Sequence, residues 1–499
     1  MTSNNNSNKK LILNAFEMGA IGHQNPGLWT HPRDTKTDGY KSIEYWTNLA
    51  KLLERGKFNA VFIADVLGGY DVYNGPGNLD AAIASAAQWP VNEPSAVVSA
   101  MAAVTKNLSF GLTFSTISEA PYHFARRLAT LDHLTNGRVG WNIVSSYLDS
   151  ASRNLLNGEP LLEHDERYVR ASEYLDVVYD LFLSSWRDDA VVKDKERGVY
   201  AEPDRLRRIN HKGKYFTVPG PGMTEPTPQR LPVILQAGAS KKGTAFAARN
   251  AEVVFISSPT PVSLKAQIDS TKKLAKEEFG RDEGTIKFLQ LITVIIGKTR
   301  EDAEDKYRDY LKHGDLEGAQ ALFSGWTGID IGKYGKDEEL TEVESNAIRS
   351  SAQNWTKPAP GAPANLKRTR EFLASKIVVG GLGPVILGTA TEVADEIENW
   401  VNVSGVDGFN FCYSVTPGSF EDIVDYLVPE LQSRGLFWDD YPESNDEKDS
   451  NLSFREQIFG TTRDDPKFLL PSHPAHKLRW TSEYSREEFD KYLEKINSS

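Results

Sequence analysis

Small residues, a serine and two lysines follow the apolar run PVILQAG (232–238) in the segment AGASKKG. Ser240 would begin a helix there, and the free N–H groups and dipole at a helix N-terminus favour a phosphate group. Small side chains let the backbone approach a ligand, and Lys241 and Lys242 would add positive charge. The spacing therefore indicates a phosphate site, with an ordinary N-cap turn as the alternative.

Two histidines and a tryptophan are concentrated in GHQNPGLWTHP (22–32), directly after the apolar run LILNAFEM (11–18). A turn requires only residue types such as Gly, Pro, Asn or Asp, so two imidazoles and an indole exceed what the turn needs. We expect His23, Trp29 and His31 to line a pocket. The alternative is that they only pack and order the loop.

Other polar side chains end predicted strands. Asp65 ends FIAD, where a carboxylate is either a site residue or a cap for the following loop. Uncharged hydrogen-bonding groups end the next two strands, namely Thr113, Ser115, Asn142, Ser145 and Ser146. In HDERY, His164 and Tyr168 are four residues apart and share one helical face. These two are also site candidates, with plain helix surface as the alternative.

The order of the elements decides whether these residues meet. Eight short apolar runs predict strands that are buried on both faces. They are 11–18, 60–65, 108–115, 139–146, 232–238, 252–258, 288–297 and 408–415. Amphipathic segments between them predict helices. Eight βα units in series predict an α/β fold, a closed TIM (β/α)8 barrel, rather than the open doubly wound sheet that is the alternative. Binding and catalytic groups of a barrel collect at the C-terminal ends of its strands.

We place this barrel at residues 11–438, with insertions after strands 2, 4 and 7. The insertions span about 66–93, 187–231 and 315–375. The polar residues 1–10 predict a disordered N-terminus. Residues 439–499 predict a C-terminal extension that packs on the barrel or on a partner subunit.

Composition excludes several classes of function. The 499 residues include 57 Lys and Arg against 69 Asp and Glu, a net charge of −12, which argues against nucleic acid or an anionic membrane as partner. The single cysteine, Cys412, excludes an internal disulfide and a cysteine zinc site. Without a signal peptide or a long apolar run, the sequence predicts a cytoplasmic protein.

Known catalytic motifs narrow the chemistry further. The nine histidines form no H-x-H pair and no H-E-x-x-H motif, so no metal is expected. No G-x-S-x-G motif supplies a nucleophilic serine. A carboxylate pair for glycoside hydrolysis stays open, because barrel carboxylates are common. The predicted mouth combines small, neutral and aromatic residues, which suits a flat aromatic cofactor with a phosphate tail better than a sugar or a metal.

Seven longer motifs are spread over most of the length of residues 11–438. They are GLWTHP, FIADVLG, HLTNGRVGWNIVSS, HDERYVRASEYLDVVYDLFLSSW, GKYFTVPGPGMTEPTPQRLPVILQAGASKKGTAFAARNAEVVF, FSGWTGIDI and GTATEVADEIENWVNVSGVDGFNF. Together they resemble the bacterial-luciferase-like superfamily, in the branch that contains nitrilotriacetate monooxygenase component A, dibenzothiophene-sulfone monooxygenase and long-chain alkane monooxygenase. These are oxygenase components of two-component FMN-dependent monooxygenases.

The resemblance implies a TIM barrel that binds FMN as FMNH2, delivered by a separate NAD(P)H:flavin reductase. The enzyme would use O2 to form a C4a-(hydro)peroxyflavin and oxygenate a small organic substrate. FMN contacts are assigned to Asp65, Thr113, His164, Tyr168 and Ser240. Asp65 would lie near the isoalloxazine and Thr113, for which Ser115 is an alternative, near its polar edge. The other three would reach the ribityl chain and phosphate.

The same resemblance makes His23 and His31 the catalytic candidates, as proton donors during O–O cleavage. This chain has Gln24, Asn25 and Pro26 where many relatives carry a second His or a Gly, so a catalytic pair in the loop stays open. The insertions after strands 2 and 7 would form a lid. The expected assembly is a homodimer or homotetramer. Alternatives are an FMN-storage protein without turnover, a hydrolase on the same barrel, and a deazaflavin-dependent dehydrogenase.

Overall fold

Eight parallel strands close into a barrel in the computed structural model, which describes residues 10–238, 240–340, 367–444 and 451–497. The strands are β1 (Ile12–Met18), β2 (Ala60–Ala64), β3 (Ser109–Ser115), β4 (Val139–Val144), β5 (Val233–Ala237), β6 (Val253–Ile256), β7 (Lys287–Ile296) and β8 (Gly408–Cys412). Consecutive strands pair from β1 to β7, and β8 pairs with both β7 and β1. The predicted TIM barrel is therefore confirmed, and all eight strands fall within the predicted runs or begin one residue earlier.

Helices alternate with the strands, as the amphipathic segments predict. They are α1 (Lys36–Gly39), α2 (Ile43–Arg55), α3 (Asp80–Ser85), α4 (Ser95–Ala103), α5 (Pro121–Leu134), α6 (Asp149–Leu155), α7 (His164–Tyr179), α8 (Lys241–Asn250), α9 (Pro261–Phe279), α10 (Arg300–His313), α11 (Leu316–Thr327), α12 (Arg370–Ile377), α13 (Ala390–Ser404), α14 (Gly418–Asp422), α15 (Val428–Ser433), α16 (Phe454–Phe459) and α17 (Arg486–Asn497). No helix in the described part of the chain has the length and apolar character that crossing a bilayer requires.

The insertions add short elements around the barrel. The one after β2 carries α3, and the one after β4 contains two small hairpins, Val191–Asp194 with Val199–Ala201 and His211–Lys212 with Thr217–Val218. After β7, the chain forms α10 to α12 and the strand Val385–Gly388, which pairs with the end of β7. Residues 341–366 of this insertion, and residues 1–9 of the predicted disordered N-terminus at 1–10, lie outside the described residues.

The C-terminal segment covers the N-terminal end of the barrel. Phe454 and Ile458 of α16 are buried in one apolar cluster with Ile12, Val233 and Val253, the first residues of three strands. The fully buried guanidinium of Arg455 donates to both carboxylate oxygens of Glu252, at 2.7 and 2.9 Å. Among the described residues, this segment covers the N-terminal end of the barrel, so we expect a ligand to enter from the opposite end.

Candidate active site

A cavity of about 310 Å³ lies at the C-terminal ends of the barrel strands. Six of the seven predicted site residues line it, namely His23, Asp65, Thr113, His164, Tyr168 and Ser240. They come from five separate segments of the chain, spread over more than 200 positions, and two of them share α7. The barrel brings them together because parallel strands in series all end at one mouth.

Three phenylalanine rings form an apolar stack on the wall of the cavity. The Phe16 and Phe62 ring centroids are 4.9 Å apart with an interplanar angle of 3°, and those of Phe62 and Phe255 are 4.3 Å apart at 13°. All three side chains line the cavity. This surface suits a flat ring system that buries its apolar area against aromatic side chains.

Polar atoms without a protein partner also line the cavity. They are His23 Nδ1, Asn142 Oδ1, Gln236 Oε1 and Asn410 Oδ1, all on side chains that are almost completely buried. The Asn142 amide itself donates to Thr113 Oγ1 at 2.9 Å. A buried polar atom left unpaired costs about 1–3 kcal/mol. Four such atoms in one cavity indicate a site built to receive a polar ligand or ordered water.

One end of the cavity has the features of an anion site. Ser240 caps α8, and its Oγ accepts from the Gly243 N–H at 3.0 Å. The Tyr168 hydroxyl hydrogen-bonds the same serine side chain. A Cβ at Gly243 would lie 2.9 Å from the Tyr168 hydroxyl and 3.1 Å from Ser240 Oγ, so glycine keeps this cradle open. The predicted helix start at Ser240 is confirmed.

His164 and Arg167 extend this end along one face of α7. The His164 ring lies 5.3 Å from the Tyr168 ring, and its Nδ1 is 2.8 Å from Asp165 Oδ1. Arg167 is buried, lines the cavity and donates to the Leu162 carbonyl at 2.8 Å. Sequence reasoning did not select Arg167, although its position three residues after His164 on one helical face was a usable signal.

Two insertions and the loop after β4 meet above the cavity. The Tyr70 hydroxyl donates to Gln88 Oε1 at 2.6 Å, lies 2.7 Å from the Tyr147 hydroxyl and accepts from Trp326 Nε1 at 3.2 Å. Gln88 in turn donates to the His23 carbonyl at 3.0 Å. We call Tyr70, Gln88, Tyr147 and Trp326 the roof. All but Tyr70 line the cavity, and the roof joins segments that the sequence places far apart.

Burial sets the protonation of the two central titratable groups. Burial, together with the nearby Glu93 carboxylate, raises the pKa of Asp65 to about 7, against hydrogen bonding from the Val66 backbone and the Arg127 charge. Burial, and then the Lys36 ammonium, lower the pKa of His23 well below its ordinary value. Asp65 is therefore near its midpoint at neutral pH and His23 is a neutral imidazole.

Lys36 is itself enclosed behind His23. It is completely buried, pairs with the Glu17 carboxylate, and donates to the Met18 carbonyl at 2.7 Å and the Tyr413 hydroxyl at 2.8 Å. The Tyr413 ring lies 6.1 Å from the His23 ring. The pair is fully hydrogen-bonded, as a buried ion pair must be if it is not to destabilise the fold.

His31 lies outside the cavity and packs against α10. Its Nε2 is 3.2 Å from Asp309 Oδ2, and its Nδ1 accepts from the Arg33 N–H at 3.1 Å. His313 is close enough for these three side chains to have the types and spacing of metal ligands. Because Nδ1 of His31 accepts a hydrogen bond, the neutral ring carries its proton on Nε2, which then donates to Asp309 and is closed to a metal. Neither His31 nor Trp29 lines the cavity.

A second cavity of about 500 Å³ adjoins the first and shares Asp65 and Val66 with it. Its other lining residues include Trp89, Glu93 and Arg153. The Glu93 and Arg153 side chains are each 47% exposed, so this cavity reaches the surface. Trp89 lines this second cavity and not the first.

Known proteins match this chain over nearly its whole length. The family model for luciferase-like monooxygenases matches residues 26–407. The chain is 46% identical to the dimethyl-sulfide monooxygenase of Hyphomicrobium sulfonivorans over 471 residues, which is 94% of each chain. It is 44% identical to the long-chain alkane monooxygenase of Geobacillus thermodenitrificans, over 91% of this chain and 94% of the relative.

A solved structure of a riboflavin lyase, determined with modified FMN and riboflavin, superposes with a TM-score of 0.84 at 30% identity, over 94% of this chain and all of that one. These matches confirm the predicted family and the prediction of a monooxygenase. The chain belongs to the luciferase-like monooxygenase family, in the branch of flavin-dependent, two-component oxygenases that its motifs resemble.

Proposed function

We propose that the chain binds FMN, receives it in the reduced form from a separate NAD(P)H:flavin reductase, and uses O2 to oxygenate a small organic substrate. The observation that carries this proposal is the pairing of an aromatic wall with an anion site in one cavity. A flavin mononucleotide has a flat apolar ring system at one end and a single phosphate at the other. A riboflavin lyase of the same fold was solved with modified FMN, which supports the choice of flavin.

The phosphate would be held at the N-terminus of α8. Ser240, the Tyr168 hydroxyl and the free N–H groups of the first helical turn offer donors there, and the helix dipole adds a favourable field. His164 and the Arg167 guanidinium lie on the same face of α7 and line the same cavity. A phosphate with these partners would be bound by charge-assisted hydrogen bonds.

The ring would lie over the phenylalanine stack, with its polar edge towards the unpaired amide groups. The side-chain oxygens of Asn142, Gln236 and Asn410 have no protein partner. Thr113 Oγ1 accepts a hydrogen bond from the Asn142 amide. Asp65 would lie near the ring. The bound reduced flavin would supply the electrons that activate O2.

The protein would supply proton control and the exclusion of water. His23 is a neutral imidazole with an unpaired Nδ1, so it can accept a proton at that atom and return it. The roof closes the cavity with two hydroxyls and an indole, which limits the loss of activated oxygen to water. The cavity wall is mostly uncharged, which favours small apolar substrates. Dimethyl sulfide and a long-chain alkane, the substrates named for two relatives, are the first to assay.

The first test mixes the protein anaerobically with reduced FMN, adds O2 and follows flavin absorbance by stopped flow. We expect the protein to bind reduced FMN and to reoxidise it through at least one phase that free flavin lacks. Reoxidation at the rate of free flavin, with and without the two candidate substrates, would contradict an oxygenase. It would favour the FMN-storage alternative if the protein still binds oxidised FMN tightly.

A pair of histidine variants tests the proton role. His23→Ala should divert reduced flavin from product to hydrogen peroxide, because general acid–base help is typically worth ~10²–10⁴-fold. His31→Ala is the matched control, since His31 lies outside the cavity. Product and peroxide are measured per reduced FMN consumed. An unchanged product yield in the His23 variant would remove histidine proton transfer from the proposal.

We also propose that the chain assembles as a homodimer or homotetramer. Leu134, Tyr200 and Met223 are each more than half exposed. Tyr200 donates to the Glu225 carboxylate at 2.7 Å, and His133, the residue before Leu134, contacts the Glu225 carbonyl at 3.2 Å. Exposed apolar side chains in one region are typical of a protein interface. Light scattering of the native protein and of Leu134→Glu tests it, and a monomeric native mass would contradict it.

A further inference from the structure

Asp65 lies between the two cavities at the mouth of the barrel and lines both. We infer that Asp65 takes up one proton from solvent, through the second cavity, when reduced flavin binds, and that this proton makes the site prefer the reduced cofactor over the oxidised one. The inference rests on the proposed binding of FMN. It goes further by giving one carboxyl group the task of distinguishing the redox state of the cofactor.

The charges that line the flavin cavity would affect reduced and oxidised flavin differently. Among the described side chains that line it, Asp65 is the one carboxyl group, while His23 is neutral and Arg167 of α7 is a cation. The ring of reduced flavin is an anion near neutral pH, whereas the ring of oxidised flavin is uncharged. An ionised Asp65 would therefore repel the reduced ring only, and a protonated Asp65 would repel neither and could donate a hydrogen bond.

Two charged side chains from other elements lie near Asp65. Glu93 is a like charge that opposes ionisation, and Arg127 of α5 is an opposite charge that favours it. The Arg127 guanidinium, however, pairs with Glu119 and with Glu93, and its centre lies 4.5 Å above the Phe114 ring. Among the described residues, no Lys, Arg or His forms an ion pair with Asp65. The carboxyl group therefore keeps its proton more easily than a paired one would.

The remaining charges of the second cavity are paired with each other. Arg153 donates to Asp71 at 3.0 Å and also pairs with Asp149. The Tyr70 hydroxyl is held in the roof and its pKa is raised well above the ordinary value, so it does not ionise near neutral pH. Partly exposed Glu93 and the second cavity, which reaches the surface, then offer Asp65 a route to solvent protons.

The proton balance follows directly. One proton moves from solvent to the Asp65 carboxylate as the reduced cofactor binds, and one returns to solvent when the oxidised cofactor leaves. No covalent bond to the flavin is involved. By linkage, the affinity for reduced FMN should fall as pH rises above the Asp65 midpoint, by up to about tenfold per pH unit if the proton is required.

The test measures dissociation constants for oxidised and for reduced FMN under anaerobic conditions, between about pH 7 and about pH 9, where the reduced ring is already an anion. The phosphate is common to both forms, so the ratio of the two constants cancels its ionisation. In the native protein we expect the preference for reduced FMN to fall roughly tenfold per pH unit above the midpoint. In Asp65→Asn, which is isosteric and stays uncharged, the ratio should not change with pH.

Two further variants make the test specific. Glu93→Gln removes the like charge beside Asp65, so the fall should begin at a lower pH than in the native protein. Asp71→Asn is the matched control, because Asp71 lines the second cavity but is paired with Arg153, and its ratio should follow the native curve. If Asp65→Asn does not fold, two other measurements test the inference. They are the pH shift in Glu93→Gln and the proton uptake of the native protein, measured by calorimetry in two buffers.

The outcomes separate this inference from the proposed function. A ratio that does not vary with pH in the native protein, with both forms bound, would overturn the inference and leave FMN binding intact. A ratio in Asp65→Asn that falls like the native one would also overturn it. Failure of both forms to bind would instead contradict the proposed cofactor.

Discussion

Both ends of the barrel hold buried side-chain atoms without a protein partner, Gln229 Oε1 and Gln457 Oε1 among them at the N-terminal end, but the two ends differ in how their carboxyl groups are paired. At the N-terminal end, Glu252 and Arg455 are buried and fully paired, and Arg455 also donates to the Gln229, Leu231 and Lys467 carbonyls. At the C-terminal end, His23, Asn142, Gln236 and Asn410 keep polar atoms without partners. Both ends are built on the same strands, so the difference arises from what covers each end.

The carboxyl groups show the same contrast in their pKa values. Burial opposes ionisation at both Asp65 and Glu252, but the Arg455 guanidinium holds the pKa of Glu252 below its ordinary value, whereas the pKa of Asp65 rises to about 7. A paired charge serves stability, and an unpaired titratable group in a cavity is available for function. We therefore expect the covered end to stabilise the barrel and the open end to carry the chemistry. The following experiments test that division.

The largest effect is expected at the covered end. Arg455→Ala leaves Glu252 as a buried, unpaired carboxylate and should cost roughly 3–5 kcal/mol in the free energy of unfolding. Chemical denaturation measures this loss. The double variant Glu252→Gln/Arg455→Met removes both charges and should recover much of it. An Arg455→Ala variant as stable as the native protein would contradict the assignment of this end to stability.

At the open end, Tyr168→Phe should weaken FMN binding without a comparable loss of stability. The hydroxyl belongs to the proposed phosphate site, and a hydrogen bond to a charged group contributes about 1.5–3 kcal/mol, or roughly 10–100-fold in Kd. The matched control is Tyr179→Phe. The Tyr179 hydroxyl donates to Asn250 Oδ1 at 3.2 Å, and Tyr179 does not line the cavity. Equal FMN affinities in the two variants would place the phosphate elsewhere.

The roof should respond with a smaller, local change. Tyr70→Phe removes a hydroxyl that contacts Gln88, Tyr147 and Trp326, and unpaired buried groups cost about 1–3 kcal/mol. Limited proteolysis should then cut the insertion at 66–93 faster, and FMN should protect it less. Tyr73→Phe is the control, because its hydroxyl contacts Gln320 at 3.2 Å and Asn74, and neither partner belongs to the roof. Identical cleavage rates would count against a lid held by the roof.

The smallest expected effect is a pH-dependent change in the free energy of unfolding. The folded pKa of Asp65 is about 7 against an ordinary 3.8, so its favourable contribution is complete below the unfolded pKa and is lost as pH rises through about 7. Asp65→Asn should therefore be more stable than the native flavin-free protein at about pH 8, by on the order of 1 kcal/mol after allowance for partial exposure, and by less at about pH 5. Glu252→Gln should have the opposite sign at neutral pH. A pH-independent difference for Asp65→Asn would contradict its raised pKa.

Local patterns were enough to predict most of the fold. Strands buried on two faces read as continuous apolar runs, and the N-cap at Ser240 has a short-range signature, so both were found from the sequence. The closure of the barrel followed from counting βα units. Asp65 and Thr113 were predicted to face the cavity because they lie near the ends of strands, and the ends of parallel strands share one mouth.

What the sequence by itself determined is therefore the barrel, its family and the strand ends that face the cavity, because these depend on period, spacing and motif. Only the tertiary structure decided that His31 packs on α10, that Arg167 lines the cavity, and that Tyr70 and Trp326 meet across 256 positions. It also decided which carboxyl group is paired, since Arg455 reaches Glu252 across 203 positions. Contacts of that length depend on how insertions and the C-terminal segment fold over a closed barrel, and no local pattern encodes the distance between two loops.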